Sequence, residues 1–155
     1  MDVAVALLAR RDYGREQLKS RLLDKGFESP EVEQTLDALE AKGFIDDQRF
    51  AAALLRSHIA KAHGPGKVRQ ALMQKGLNKQ CIEQVLDASD CDWFALARTR
   101  ALKKFGDSPA DDMKEKARRI RHLMGQGFSY EQVAYALEYD PYDCLFPLSQ
   151  LPLHN

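Results

Sequence analysis

The sequence predicts an all-α protein of three tandem three-helix repeats, stacked into an elongated, curved array. The first observation is a set of three evenly spaced glycines, Gly26, Gly76 and Gly127, each between two helix-like stretches. The second is that apolar residues keep the same distances from all three glycines: four before, six after and ten after. These matched residues are Leu22, Leu72 and Leu123, then Val32, Ile82 and Val133, then Leu36, Leu86 and Leu137. Matched positions at a period of about fifty residues indicate a repeat protein.

Each of these glycines is predicted to end a helix. Glycine adopts the left-handed conformation without a Cβ clash, so the last carbonyls of the helix still find donors. The residue after it, Phe27, Leu77 or Phe128, suits the hydrophobic contact that accompanies such a cap. Three unrelated helix caps are the alternative explanation, since glycine ends many helices. The matched apolar residues favour the repeat.

The first repeat begins with a helix rich in alanine and leucine. Its second helix carries Leu18 and Leu22 one turn apart. Ser29 at the N-cap position and Pro30 in the first turn mark the start of the third helix, and Gly43 ends it. The three helices are predicted at Val3–Arg11, Arg15–Lys25 and Pro30–Lys42.

The second repeat begins at Asp46, which suits the N-cap of a long helix. The apolar run 50–55 in that helix echoes the run 3–8, so the first helices of the two units are related. The Gly-Pro-Gly stretch at 64–66 then breaks the chain. The helices of this repeat are predicted from Asp46 to about Ala62, at Lys67–Lys75, and at Lys79–Ala88 after a cap at Asn78.

The third repeat has two candidate N-caps for its first helix, Asp90 and Asp92. Its second helix places Ala117, Ile120 and Met124 on one face. Its helices are predicted up to Phe105, at Met113–Gln126, and from a capping box at Ser129–Gln132 to about Glu138.

These helices divide the chain into repeats at 1–45, 46–91 and 92–138, followed by a tail at 139–155. No useful length of sequence alternates with period two, so no strand is predicted. The tail contains three prolines and no helical period, and it is predicted to be irregular. Each three-helix unit resembles the core of DNA-binding helix-turn-helix domains.

A formal net charge of zero hides a basic middle in the sequence. The segment 48–82 contains no Asp or Glu and carries seven basic residues. The segment 98–121 holds nine basic residues against four acidic ones. Ordinary helical surfaces mix both signs, which weakens the alternative of a merely solvated surface. The pattern favours an anionic partner, either phosphates or an acidic protein surface. Aromatic residues for base stacking are sparse in 48–82, so sequence-specific readout is not indicated.

Several classes of protein are disfavoured. The three cysteines are scattered and form no CxxC pair, which argues against a disulfide framework and a zinc site. Arg10 and Arg11 follow the first apolar run, which is the wrong order for a signal peptide. No apolar run approaches the roughly 18 residues of a membrane span. No nucleophile, base or metal constellation stands out. We therefore predict a cytoplasmic, non-enzymatic monomer with no cofactor, no bound metal and no membrane contact.

Three short patterns are weaker candidates for a metal-binding or anion-binding site. Asp46 and Asp47 are better explained by a helix start than by a metal pair. His58 and His63 are five residues apart and do not share a helix face, which disfavours metal ligation. The stretch 64–67 lacks the spacing of a phosphate loop. It does place a lysine at a helix N-terminus, where an anion can bind, and a plain turn is the alternative.

Two segments, GFIDDQRFA at 43–51 and GPGKVRQALMQKGL at 64–77, resemble the RecX family of bacterial regulators of the RecA recombinase. The segments 10–13 and 116–121 are also similar, and the resemblance covers about residues 3 to 138. It implies an all-helical, non-enzymatic protein of three tandem three-helix units. It also implies binding in the groove of the RecA filament, with limits on filament growth, ATP hydrolysis and strand exchange. The implied setting is DNA repair, homologous recombination and the SOS response.

The sequence departs from the family pattern in two places. His63 stands where many members have an aromatic residue before Gly-Pro, and the tail after Glu138 does not resemble the family. The alternative function is a stand-alone helical nucleic-acid-binding repeat protein. DNA binding is expected to be weak and independent of sequence. The residues predicted to contact RecA or DNA, with no division between the two, are Arg49, Arg56, Lys61, Lys67, Arg69, Lys75, Lys116, Arg118, Arg119 and Arg121.

Overall fold

In the computed structural model, every regular element of the described residues, 1–140 and Tyr142, is an α-helix. The all-α class is therefore confirmed, with three tandem repeats of three helices each. The irregular structure predicted for the tail falls largely on residues outside this range. The helices are α1 (Asp2–Arg10), α2 (Arg15–Asp24), α3 (Ser29–Ala41), α4 (Asp47–Ala60), α5 (Pro65–Gln74), α6 (Lys79–Ala88), α7 (Trp93–Phe105), α8 (Met113–Gly125) and α9 (Tyr130–Leu137).

The three framing glycines end their helices in the same way. Gly26, Gly76 and Gly127 have φ angles of 97°, 86° and 96°. In each case the glycine N–H donates to the carbonyl three residues earlier at 3.0 Å, and the next N–H donates to the carbonyl five residues earlier at 3.3 Å. These are the two hydrogen bonds of a Schellman cap. The predicted role of the glycines is therefore confirmed.

Side-chain caps confirm the predicted helix starts. Each capping oxygen accepts from the backbone N–H three residues further on, as in the usual N-cap. The capping residues are Asp46, Asn78, Asp92, Asp112 and Ser129. The choice left open in the third repeat therefore falls on Asp92. Gln132 completes the capping box, because its Oε1 accepts from the N–H of Ser129 at 2.8 Å.

Three local predictions are wrong in detail. Ser29 lies inside α3, and Glu28 occupies the N-cap. Helix α5 begins at Pro65 rather than two residues later, because proline has a helix-compatible φ and lacks an N–H that the first turn leaves unused. Met124 is 41% exposed, whereas the residue before it is fully buried and occupies the core position.

The chain divides into two compact units. The first comprises residues 1–56 and 70–89. In it α1 packs on α2, and α2 packs on α3. Its core contains the matched leucines and valine of the first repeat, joined by a buried tyrosine. The buried residues of this core are Ala4, Tyr13, Leu18, Leu22, Val32, Leu36, Leu39 and Ile45.

Among the described residues, the second unit comprises 57–69, 90–140 and Tyr142. In it α7 packs on both α8 and α9, and α8 packs on α9. Its core again contains two matched apolar residues of the repeat, Leu123 and Val133, and the third, Leu137, is partly buried and packs against it. The buried residues are Ala97, Ala101, Ile120, Leu123, Phe128, Val133 and Ala136. None of the helices in the described part of the chain has both the length and the hydropathy to span a membrane.

Candidate functional site

The predicted contact residues of the first unit differ in what surrounds them. The guanidinium of Arg49 donates to the carbonyl oxygens of Gly43 and Phe44, both at 3.3 Å, and lies 3.6 Å from an oxygen of Asp12. Arg49 therefore satisfies carbonyls just beyond the end of α3. Arg56 and Lys75 are exposed, and their side chains have no hydrogen-bond or ion-pair partner among the described residues. These two cations are open to a partner.

Two arginines of α8 are engaged within the second unit. Arg118 donates to both carboxylate oxygens of Glu115, at 2.8 and 2.6 Å. Arg119, whose side chain is only 14% exposed, donates to Glu115 at 3.1 Å and to the carbonyl of Ser108 at 2.8 Å. Both guanidinium groups also lie over the ring of Phe105, at 5.3 and 5.2 Å. The hydrogen bonds from Arg118 and then Arg119 lower the pKa of Glu115 to about 2.

Among the other predicted contact residues of this unit, one lies against an aromatic ring and three are exposed. The Lys116 ammonium lies over the ring of Tyr139 at 4.5 Å. Lys61, Arg69 and Arg121 are exposed. The side chains of Lys61 and Arg121 have no hydrogen-bond or ion-pair partner in the part of the chain that the structure describes. The open cations are thus Arg56 and Lys75 in the first unit and Lys61 and Arg121 in the second.

The Gly-Pro-Gly turn packs directly on the end of α8. The N–H of Gly64 donates to the carbonyl of Gln126 at 2.7 Å, and the N–H of Gly66 donates to that of Gly127 at 2.8 Å. A Cβ on Gly64 would overlap the backbone of Gly127 and Phe128. The N–H groups of Gly64 and Gly66 are therefore engaged within the unit, and the turn is a structural contact. Anion binding at Lys67, near the start of α5, stays a prediction.

The chain reversal after α4 brings His58 and His63 together. Their Nδ1 atoms are 2.8 Å apart. Ala62 has φ of 59°, its N–H donates to Ile59 at 2.9 Å, and the N–H of His63 donates to His58 at 3.0 Å. This is the same cap geometry as at the framing glycines, with alanine in the glycine position. In a continuous helix, two residues five positions apart would lie on different faces. Here the chain has left α4 and reverses at Ala62, so the rings of His58 and His63 meet.

A third histidine lies in the same unit. His122 of α8 accepts from Nε of Arg100 at 3.4 Å, and its ring meets Phe105 edge-on at 5.5 Å. Lys67 acts on the pKa of all three histidines. We call this set the histidine cluster; its members are His58, Lys61, His63, Lys67, Arg100 and His122. The described residues contain no group of three or more His, Cys, Asp or Glu that could hold a metal ion.

The pKa values of the three histidines are all lowered. Burial is the largest cause in each case. Neighbouring cations lower them further, with Lys61 and Lys67 acting on His58 and on His63. The pKa of His63 falls to about 4. The three rings are therefore neutral near pH 7, among fixed positive charges.

The sequence did not single out this cluster. Arg100 and His122 were not among the predicted site residues, and His58 and His63 were considered only as metal ligands. Lys61 and Lys67 were predicted as contacts to RecA or DNA because they belong to the acid-free segment, and Lys67 also for its place at a helix start. The absence of acids in 48–82 is the one signal that pointed to the region.

Comparison with family models shows three matches in chain order. The model for the first three-helix domain of RecX matches residues 1–44. The model for the second matches residues 46–86, and the model for the third matches residues 90–137.

Relatives and solved structures agree with the family models. The chain is 52% identical to a regulatory protein RecX of Shewanella oneidensis, over 68% of this chain and 94% of the relative. It is 38% identical to one of Vibrio vulnificus, over 88% and 89%. A crystal structure of regulatory protein RecX aligns with TM-score 0.73 and 25% identity, over 86% of this chain and 67% of the other. The fold also matches the crystal structure of RecX from Lactobacillus salivarius, with TM-score 0.76 and 18% identity, over 88% and 91%.

Proposed function

The chain belongs to the RecX family of regulatory proteins, and on that premise we propose that it binds the RecA recombinase and its DNA filament. The observation that carries the proposal is the match to all three family domains in order. Bound in the filament groove, the protein limits filament extension, ATP hydrolysis and strand exchange. It acts as a cytoplasmic, monomeric and non-enzymatic regulator of DNA repair, homologous recombination and the SOS response.

The contact surface that we propose is basic. The open cations Arg56, Lys61, Lys75 and Arg121 support it, because they have no ion pair among the described residues that would compete with a partner. Arg69 and Lys67 belong to the same acid-free segment. The proposal also includes four basic residues whose side chains are engaged within the chain: Arg49, Lys116, Arg118 and Arg119. Because they already have partners, we assign them a contribution to the positive potential of the surface. Such a surface attracts phosphates and acidic protein faces without reading sequence.

The test is a titration of this protein against RecA on saturating single-stranded DNA, with ATP hydrolysis as the readout. We expect half-inhibition at well below one copy per RecA monomer, because one copy bound in the groove affects several filament subunits. A protein that merely competes for DNA must coat the strand, and added salt weakens it. Inhibition that disappears when excess DNA is added would therefore contradict the proposal.

A second measurement separates the regulator from a stand-alone DNA-binding protein. Immobilised RecA is mixed with this protein in the absence of DNA. Retention on RecA is the result expected for a regulator. Binding to DNA with no retention on RecA and no effect on its ATPase would favour the stand-alone protein.

A further inference from the structure

The histidine cluster has an unusual charge balance. Neither of its two close contacts includes an acidic group. The imidazoles of His58 and His63 are 2.8 Å apart, and the guanidinium of Arg100 is 3.4 Å from the imidazole of His122. Several neighbouring groups act on the pKa of the three rings. They are Lys61 and Lys67 on His58; Lys67, His58, Lys61 and Arg100 on His63; and Arg100, Lys104, Arg118 and Lys67 on His122. Apart from His58 itself, all of these groups are fixed cations, so the cluster concentrates positive charge.

We propose that the histidine cluster binds the phosphodiester backbone of nucleic acid and takes up protons when it does so. The inference deepens the proposed function, on which it rests, because it assigns a chemistry to part of the basic surface. All six side chains reach solvent, since Lys61 is exposed and the other five are half-buried. A phosphate can therefore approach them without a change of fold.

Proton uptake follows from the electrostatics of the free protein. Burial and the cations oppose protonation of the rings in the absence of an anion. A bound phosphate supplies the missing negative charge, and it stabilises the protonated imidazoles. Its binding must therefore raise the pKa of the rings that it contacts. By linkage, a lower pH must strengthen its binding.

The geometry of the two contacts, His58 with His63 and Arg100 with His122, sets how many protons the cluster can take up. His58 and His63 can hold one proton between them and keep their contact, because the Nδ1–H of an imidazolium can donate to the neutral Nδ1 of its neighbour. His122 accepts from Arg100 through Nε2, so its protonation breaks that hydrogen bond. Each group then has an additional N–H donor for a phosphate. We expect uptake of up to two protons.

The observations favour a nucleic-acid backbone over an acidic protein face. The cluster gathers three fixed cations and three rings that can become cations, which is more positive charge than one or two carboxylates can balance. Nucleic acid carries one negative charge per phosphate, about every 3.4 Å along each strand of B-DNA, a density that suits such a cluster. No carboxylate is among the groups that most influence the three rings.

The experiment measures binding of a labelled oligothymidylate of about 20 nucleotides by fluorescence anisotropy, without RecA. The bases and phosphodiesters of this probe keep their charge over the pH range used. Between about pH 8 and about pH 5.5 we expect the Kd of the wild-type protein to fall about tenfold or more. Circular dichroism at both pH values checks that the fold is unchanged.

Paired variants locate the effect. His63→Gln combined with His122→Gln should remove most of the pH dependence, so that the Kd of this variant changes by less than about threefold between about pH 8 and about pH 5.5. His154→Gln is the matched control, since it removes the one histidine outside the cluster. It should keep the full pH dependence. Histidine resonances followed by NMR should show the pKa of His63 rising from about 4 in the free protein once the oligonucleotide is bound.

Three results would overturn the proposal. One is a Kd that does not change with pH. Another is a pH dependence that survives in the double variant or disappears in the His154 control. The third is a polyglutamate peptide of similar length that binds as tightly as the oligonucleotide, which would indicate an acidic protein partner. Because RecA is absent, failure here leaves the RecA titration to decide the proposed function separately.

Discussion

The backbone N–H of Gly64 donates to the carbonyl oxygen of Gln126 at 2.7 Å, so the turn before α5 rests directly on the end of α8. The contact is reinforced by a second hydrogen bond between Gly66 and Gly127. Two glycine-bearing segments thus meet backbone to backbone. The close approach requires the absence of a side chain at these positions. The contact also fixes the start of α5, where Lys67 joins the histidine cluster.

Replacement of Gly64 by alanine should destabilise the protein by about 1–3 kcal/mol, the usual cost of overpacking. The added Cβ would overlap the backbone of Gly127 and Phe128, which cannot move as a flexible side chain does. Chemical denaturation followed by circular dichroism measures the change. An unchanged midpoint would show that the two segments do not meet as described.

Replacement of Ala62 by glycine should stabilise the protein by roughly 0.5–1 kcal/mol. The strain of alanine at a left-handed φ of 59° costs more free energy than the extra conformational entropy that glycine gives to the unfolded chain. Ala60→Gly is the matched control two residues earlier. It is the last residue of α4, and the same change there should destabilise by up to about 1 kcal/mol, the cost of glycine in a helix interior. Thermal melts that show the same sign for both variants would contradict the cap assigned to Ala62.

The framing glycines offer a second matched pair. Gly26 and Gly76 both have positive φ, so alanine should strain each by about 1–2 kcal/mol. A Cβ on Gly26 would meet open space, whereas one on Gly76 would lie 2.6 Å from the Cβ of Glu16. Gly76→Ala should therefore cost at least about 1 kcal/mol more than Gly26→Ala in chemical denaturation. Equal losses would mean that Glu16 does not lie against Gly76.

Two neighbouring arginines of α8 should have different roles. Arg119→Ala should destabilise by about 1–2 kcal/mol, because it removes hydrogen bonds to Ser108 and Glu115 and a packed side chain. Arg121→Ala should change stability by less than about 0.5 kcal/mol, because the residue is exposed. It should instead weaken binding to the RecA–DNA filament. Denaturation and filament binding measured on both variants test the pair, and a stability loss in Arg121→Ala would argue against the assignment.

Reversal of two charges at the start of α5 should weaken filament binding and leave the fold intact. Lys67→Glu combined with Arg69→Glu is expected to lower affinity about tenfold at moderate salt, as phosphate neutralisation is lost. The control is Lys25→Glu with Lys42→Glu, which makes the same change of net charge outside the acid-free segment at two exposed positions. If both pairs of reversals have the same effect, net charge alone explains binding and the acid-free segment is not a contact surface.

The division of the chain at 45/46 and 91/92 and the elongated, curved shape of the array stay predictions. Small-angle X-ray scattering checks the shape. Limited proteolysis checks the boundaries, because cleavage should fall between repeats, where few contacts protect the backbone.

The sequence alone determined the helices, their caps and the repeat. These depend on residues that are near in the chain: the apolar period places Leu22 or Leu123 in a core, and a glycine four residues later ends the helix. The small errors, at Ser29 and Pro65, concern single turns at helix ends, where local energies differ least.

Only the tertiary structure decided which charges are available and which are engaged. The sequence treats Arg119 and Arg121 alike, but packing places one against Ser108 and Glu115 and leaves the other exposed. The sequence likewise separates His63 from Arg100 and His122, whereas in the second unit Arg100 and Lys67 lower the pKa of both histidines. Side chains distant in the chain meet only when helices pack, and a local pattern carries no information about which faces will touch.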